Sequence, residues 1–330
     1  MRATNIALGI AAAVLLAAPG RAEEPLALEA KISLGNIYGR IDHMAVDVAR
    51  QRVFVAELGN DSVGVIDLKR RTVLRTLLHL KEPQGVSYVA KTDTLYVASA
   101  LDGALRPFAG PELKPGDIIP LGANADNIRI DAKSGQLFVG YGAGGIAVID
   151  PATNKKQADI VLREHPEGFQ LSADGARIFV NVPDAHQIAV IDRAAGKQVA
   201  TWPMRDGRAN FAMALESDDR VITVFKRPPH LAALSAKDGT VLAGVDVCDD
   251  ADDVFLDVPR KRLYVSCGDG MLDVLERRGT GYARLARLTT APGARTSLFI
   301  PELDRLIVAA RAVTGEKPMP AALLIFRPTP

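Results

Sequence analysis

The chain has 330 residues, more than one hydrophobic core ordinarily supports, so it holds either two domains or one repeat-built domain. Hydrophobic residues make up 48% and charged residues 24%, which excludes a disordered chain. Lys and Arg number 40 against 39 Asp and Glu, for a net charge of +1, which gives no support to broad nucleic-acid or polybasic membrane binding; the two cysteines exclude a disulfide-rich scaffold, a Cys-only zinc site and an ordinary iron–sulfur centre.

Residues 1–22 read as a secretory signal peptide. Met1-Arg2 gives a positive start, and Ile6 to Ala18 is an uncharged apolar run. That run is shorter than the roughly 20 residues a spanning helix needs. Pro19-Gly20 ends it, and Gly20 and Ala22 place small residues at −3 and −1 of a cleavage site before Glu23. An uncleaved amphipathic anchor is the alternative. No later segment is apolar for long enough to span a membrane. Export to the periplasm or to the outside is the expectation.

Residues 23–330 read as one repeat-built domain. A β-prone apolar triplet recurs, centred on Phe54, Tyr96, Phe138, Phe179, Ile222, Tyr264 and Ile307. The spacings are 42, 42, 41, 43, 42 and 43 residues. A second run follows many of the triplets, as in Val63-Gly64-Val65-Ile66-Asp67, Ile146-Ala147-Val148-Ile149-Asp150 and Ile188-Ala189-Val190-Ile191-Asp192. Turn residues lie where hairpins need them, at Ser134-Gly135, Asp174-Gly175, Ala195-Gly196 and Asp238-Gly239. Four strands in about 42 residues make one blade of a β-propeller. The fold class is therefore all-β, a seven-bladed propeller of four-stranded blades. The chain stops soon after Phe326, which leaves blade 7 without an outer strand. Leu26 to Leu34 is expected to supply that strand and close the ring.

The unit Pro166-Glu167-Gly168, Ser172-Ala173-Asp174-Gly175, Ile178-Phe179-Val180-Asn181 and Val190-Ile191-Asp192 resembles the YVTN β-propeller repeat, as in exported YncE-like proteins. Blades 2, 5 and 7 depart from it, with Leu105-Arg106-Pro107 and Leu231-Ala232-Ala233 replacing the Val-Ile-Asp run in blades 2 and 5. The resemblance implies the fold and an exported protein. Its wider superfamily includes lactonases, lyases and redox-accessory domains.

The first residues of inner propeller strands point into the mouth of the central channel. Counting back 12 residues from each triplet centre gives Asp42, Gln84, Asp126, Glu167, Asn210, Asp252 and Arg295, every one polar. Beside them stand His43, Asn127 and Asp253 at the next position, and His165 and Arg208 two residues before it. Polar lining is also the ordinary state of a wet channel, but a ring this mixed fits a binding site. Acids on blades 1, 3, 4 and 6, with Arg208, Arg295, Lys226, Arg227 and Arg311 on blades 5 and 7, suggest an acidic half and a basic half. Asp42, Asp126, Glu167, Asn210 and Asp252 could together ligate a divalent cation. Asp249-Asp250-Ala251-Asp252-Asp253 reads as a solvated connector.

No zinc helix, nucleophile elbow, phosphate loop or haem-attachment motif is present. The first functional expectation is a binding module for a small polar ligand or a periplasmic protein, with no nucleic acid. The alternative is a hydrolase or lyase such as a lactonase, metal-dependent or not. Glu167 or Asp252 would be its base, His43 or His165 the acid–base partner, and Arg295 the anion holder. Cys248 and Cys267 fall on one face at the junction of blades 5 and 6, where an oxidising compartment permits a disulfide.

Overall fold

The computed structural model describes residues 24–217, 219–315 and 318–330. Residues 1–22, read above as a signal peptide, lie outside the described residues. Seven antiparallel sheets stand in a ring. In blade 1 the strands run from inner to outer as Met44–Asp47, Arg52–Glu57, Ser62–Asp67 and Thr72–Leu78. The other inner strands are Pro83–Val89, Ile128–Ile130, Phe169–Leu171, Arg208–Ser217, Ala251–Asp257 and Thr296–Ile300. Consecutive inner strands touch all the way round, and that of blade 7 touches that of blade 1. No helix among the described residues is long and apolar enough to cross a membrane.

The repeat is written in the residues that the blades must bury. Phe54, Tyr96, Phe138, Phe179, Ile222, Tyr264 and Ile307 sit mid-way along the second strands, and each is at most 2% exposed. A blade is apolar on both faces, so each face needs a neighbour. Among the described residues the core accordingly divides into seven clusters, one at each junction of adjacent blades. Turn glycines enter the left-handed region where hairpins reverse, with φ of 76° at Gly135, 75° at Gly175 and 76° at Gly239.

Leu26–Gly35 is the outer strand of blade 7, paired antiparallel with Ala321–Pro328 in a register that sets Leu26 opposite Pro328 and Ile32 opposite Leu323. Glu29 on this strand gathers arginines from both sides of the seam. Its carboxylate lies 2.5 Å from Arg305 Nε, 3.5 Å from Arg327 Nε and 3.4 Å from Arg71 Nη2 of blade 1. Ring closure therefore combines backbone pairing with charge. Other junctions carry similar staples. Arg50 of blade 1 joins Asp47 to Asp93 of blade 2, and Arg260 of blade 6 joins Asp257 to Asp304 of blade 7.

Blade 2 departs from the pattern. Its outer strand is two short pieces, Lys114–Pro115 and Ile119–Pro120, both paired with Ala104–Ala109. Pro115 and Pro120 have no N–H to offer a ladder, which breaks the strand into pieces.

Candidate functional site

The inner strands enclose a cavity of about 730 Å³ along the ring axis. At its mouth stand Asp42, His43, Gln84, Asp126, Asn127, His165, Glu167, Asp252 and Asp253. They come from blades 1, 2, 3, 4 and 6, because each blade places the start of its inner strand at the same height. Three to four residues further along a strand, about 10–13 Å at 3.3 Å per residue, the lining includes the apolar side chains of Val46, Leu171, Leu256 and Leu298, with Leu215 beside them.

Three predicted residues do not line this cavity. Arg208 turns its Nη1 to the carbonyls of Met204 and Gly207. Asn210 is 1% exposed and donates to Asn181 Oδ1 at 2.9 Å and to the Gln187 carbonyl, which ties blade 5 to blade 4. Arg295 pairs with Asp250 at 3.0 Å, a carboxylate that it shares with Lys226. The division into acidic and basic halves fails with them. Arg40 of blade 1 and Arg129 of blade 3, which the fixed offset missed, are the arginines in the wall, interleaved with the acids.

The connector Asp249–Asp253 is more than a solvated link. Lys226 Nζ lies 2.6 Å from Asp252 Oδ1 and 3.1 Å from Asp250 Oδ1, above the Phe211 ring at 4.3 Å from its centroid. Asp253 Oδ2 accepts the Ser297 N–H at 2.8 Å. The connector thus carries carboxylates to the mouth and ties blades 5 and 7 to blade 6.

His43 stands between three carboxylates without a close bond to any. Its Nε2 is 3.8 Å from Asp42 Oδ1 and 3.9 Å from Asp126 Oδ1, and its Nδ1 is 3.8 Å from Asp253 Oδ1. Arg40 Nη2 lies 2.9 Å from Asp42 Oδ2 but is not aligned to donate to it. Arg129 donates to the Phe169 and Ile128 carbonyls rather than to an acid. Both ring nitrogens of His165 are engaged, Nδ1 with the Gly142 carbonyl at 2.6 Å and Nε2 with Asn124 Nδ2 at 3.2 Å.

These environments move the acidities. Burial pushes the Glu167 carboxyl up to about 9, and the charges of Asp126, Asp252 and Asp42 add to it while Lys226 opposes. Burial likewise pushes Asp42 up to about 7, against the pull of His43 and Arg40. Asp253 is raised by burial. Burial alone would lower His43, but Asp42, Asp253 and Asp126 outweigh it and the net direction is upward. Burial lowers Arg129.

Three buried acceptors on residues of the wall have no hydrogen-bond partner: Asp42 Oδ2, Asp126 Oδ1 and Asn127 Oδ1, on residues 1%, 5% and 3% exposed. Buried acceptors are normally satisfied, so each marks a place where a donor is wanted. The acids do not gather tightly enough in the structure to ligate one ion. Among the described residues, the one His, Cys, Asp or Glu trio with ligand atoms all within 4.8 Å of one another is Cys248, Cys267 and Asp269. There the sulfurs are bonded to each other in a disulfide, with Cα atoms 5.8 Å apart. Cys248 lies just past Val241–Asp246, the outer strand of blade 5.

No family model and no curated protein matches the chain. Solved structures do. A Kuenenia stuttgartiensis hydrazine synthase chain aligns with a TM-score of 0.74 at 16% identity, over 84% of this chain and 94% of that one. A chain from the crystal structure of a mitotic checkpoint complex aligns with a TM-score of 0.77 at 13% identity, over 99% of both. At such identities the likeness shows the seven-bladed propeller fold and says nothing of chemistry.

Proposed function

We propose that this chain is an exported binding module, a divergent relative of the YVTN repeat proteins, that takes a small polar ligand into the mouth of its central channel. The observation that carries this reading is the set of unpartnered buried acceptors, Asp42 Oδ2, Asp126 Oδ1 and Asn127 Oδ1, on residues that line a cavity of about 730 Å³. Leaving a buried acceptor unpaired costs roughly 1–3 kcal/mol, and a ligand donor recovers that cost. Pocket volumes of about 300–1,000 Å³ are those of small-molecule sites. Export is supported by the leader-like segment and by the disulfide, which belongs to an oxidising compartment.

The test is a thermal-shift screen of small polar compounds against the full chain and against Asp126→Asn. A binder at a hundred times its Kd stabilises by about 2.7 kcal/mol. A shift in the parent that is lost in the variant supports the reading; shifts equal in both place the ligand elsewhere and overturn it.

One observation favours a second reading, a hydrolase or lyase of the lactonase kind. The Asp42 carboxyl, pushed up to about 7 by burial, is a candidate general acid or base near neutral pH, with His43 3.8 Å away in the same wall. Lactones assayed with and without a chelator decide it: turnover by the parent that disappears in Asp42→Asn replaces the binding reading, and no turnover removes the enzyme.

A further inference from the structure

The balance of charge in the wall narrows the ligand. Five carboxylates line the cavity: Asp42, Asp126, Glu167, Asp252 and Asp253. Of the permanent cations, Arg40 pairs with Asp42 and Lys226 with Asp252, while Arg129 donates to backbone carbonyls and keeps its charge, so three cations stand against five carboxylates. Among the described residues, Asp126 has His43 as its one ion-pair contact, at 3.9 Å, with Arg40 and Arg129 acting on it from further off, and Glu167 has no ion pair. The unpartnered buried atoms of the wall, among the described residues, are oxygens of Asp42, Asp126 and Asn127, which call for a donor. Acceptors in excess, with negative charge in excess, suit a cation that carries its own N–H groups.

The spacing of the groups favours an organic cation over a bare metal ion. A hard divalent ion needs about six oxygens within 2.6 Å of one point. Among the described residues, no three carboxylate or imidazole side chains of the channel bring one ligand atom each within 4.8 Å of the others. An ammonium group has three divergent donors and can serve acceptors that stand apart. The apolar collar of Val46, Leu171, Leu215, Leu256 and Leu298 further down the channel offers a surface that no metal ion or small hydrophilic ion would use.

We propose that the channel binds a small primary amine with an apolar stem, its ammonium group among Asp126, Asn127 and Glu167 and its stem directed toward the leucine collar. This rests on the binding reading above. It carries a consequence for protons. Glu167 faces Asp126, Asp252 and Asp42 on one side of the balance and Lys226 on the other. At neutral pH its carboxyl holds a proton, which relieves part of the excess charge. An arriving ammonium supplies that relief instead, so binding releases a proton. An alkyl ammonium itself stays protonated up to about pH 10, so affinity rises between pH 6 and pH 8.5.

Isothermal titration of the full chain with hexylamine, methylamine, hexanol, hexanoate and calcium chloride tests this, at about pH 7.5 in phosphate and in HEPES. Hexylamine is expected to bind at least tenfold more tightly than methylamine, with hexanol, hexanoate and calcium weaker still. The difference in heat between the buffers is expected to report about one proton released. Asp126→Asn is expected to weaken hexylamine at least tenfold, which is the loss of one charge-assisted bond. Glu167→Gln, which keeps size and burial, is expected to bind without proton release, and its circular dichroism shows whether it is folded. Hexanol, hexanoate or calcium binding as well as hexylamine, in a manner sensitive to Asp126→Asn, overturns the amine proposal and leaves the binding module standing. If no member of the panel binds the folded parent, the amine proposal fails, and the thermal-shift screen decides the broader one.

Discussion

Lys226 of blade 5 reaches across the junction to Asp252 of blade 6, with Nζ 2.6 Å from Oδ1, and it is the closest positive partner that any channel carboxylate has. The two side chains are 15% and 8% exposed, so the pair is largely out of water. A buried pair that loses one member leaves an uncompensated charge, at a cost of about 3–5 kcal/mol. Lys226→Met is therefore expected to lower the unfolding free energy by about 3 kcal/mol in denaturant titration. The double variant Lys226→Met/Asp252→Asn should recover most of that loss. A double variant no more stable than Lys226→Met would mean that the ammonium matters through the Phe211 ring or through Asp250 instead.

Stability should also fall as pH rises. An acid whose folded pKa is raised holds its proton more tightly in the folded chain than in the unfolded one. Its contribution is complete below the unfolded value, about 4, and is lost as pH climbs through the folded value. For Asp42 that loss runs up to about 7 and for Glu167 up to about 9. His43 is raised too and contributes with the same sign. The melting temperature is expected to drop by several degrees between pH 6 and pH 9. Glu167→Gln cannot lose a proton there, so it should flatten the part of the drop above pH 7. A melting temperature that is level or rising over this range in the parent chain would show that the carboxyls ionise freely.

Most of the architecture was legible because the repeat fixes which residues a blade buries. Phe54, Tyr96 and Phe138 stand 42 residues apart in sequence and occupy one structural position, 1%, 0% and 0% exposed. The same counting reached Asp42, Asp126, Glu167 and Asp252, since a constant offset from a buried centre is a constant height in the channel. It failed in blades 5 and 7, where the side chain at that offset is held by a partner away from the cavity. In blade 5 the pairing shifts between Asn210 and Met213, so Asn210 turns into the blade junction and Phe211 lines the cavity. In blade 7 the lining passes to Ser297 and Leu298, leaving Arg295 for Asp250. Arg129 was not found by the offset, but the sequence held a signal for it. An arginine between Ile128 and Ile130 has no place in an ordinary buried strand unless something satisfies its charge.

Two glycines next to the ring position should be among the least replaceable residues. Gly85 and Gly168 hold the same place in blades 2 and 4. A Cβ on Gly85 would stand 2.0 Å from the Asp126 carbonyl oxygen, and one on Gly168 would stand 2.4 Å from the Phe211 carbonyl oxygen. Each obstacle is backbone of the next blade and cannot rotate away. Alanine at either site must push blades apart at the mouth. Gly85→Ala is expected to destabilise by about 1–3 kcal/mol and, through the Asp126 segment, to weaken ligand binding. Gly281→Ala serves as the control, since nothing lies within 4 Å of its added methyl group. Equal stability of the two variants in urea would remove the claim that blade spacing at Gly85 is critical.

The disulfide makes the mouth sensitive to reduction. Cys248 and Cys267 are 19 residues apart, and the bond closes a loop that contains the whole connector Asp249–Asp253 and the inner strand of blade 6. Chain entropy assigns a loop of this length about 3 kcal/mol. Backbone bonds lean on the same corner, from Gly268 N–H to the Asp250 carbonyl at 2.9 Å and from Cys248 N–H to Asp273 Oδ2 at 2.9 Å. These should keep the reduced protein folded while the connector loosens. Cys248→Ala/Cys267→Ala is therefore expected to lower stability by about 2–3 kcal/mol and to raise hydrogen exchange first at residues 249–253. Adding reductant to the parent should produce the same pattern, and adding it to the variant should change nothing. If reduction lowers stability while exchange at the connector stays at its oxidised rate, the bond braces the blade junction alone and leaves the carboxylates of the mouth in place.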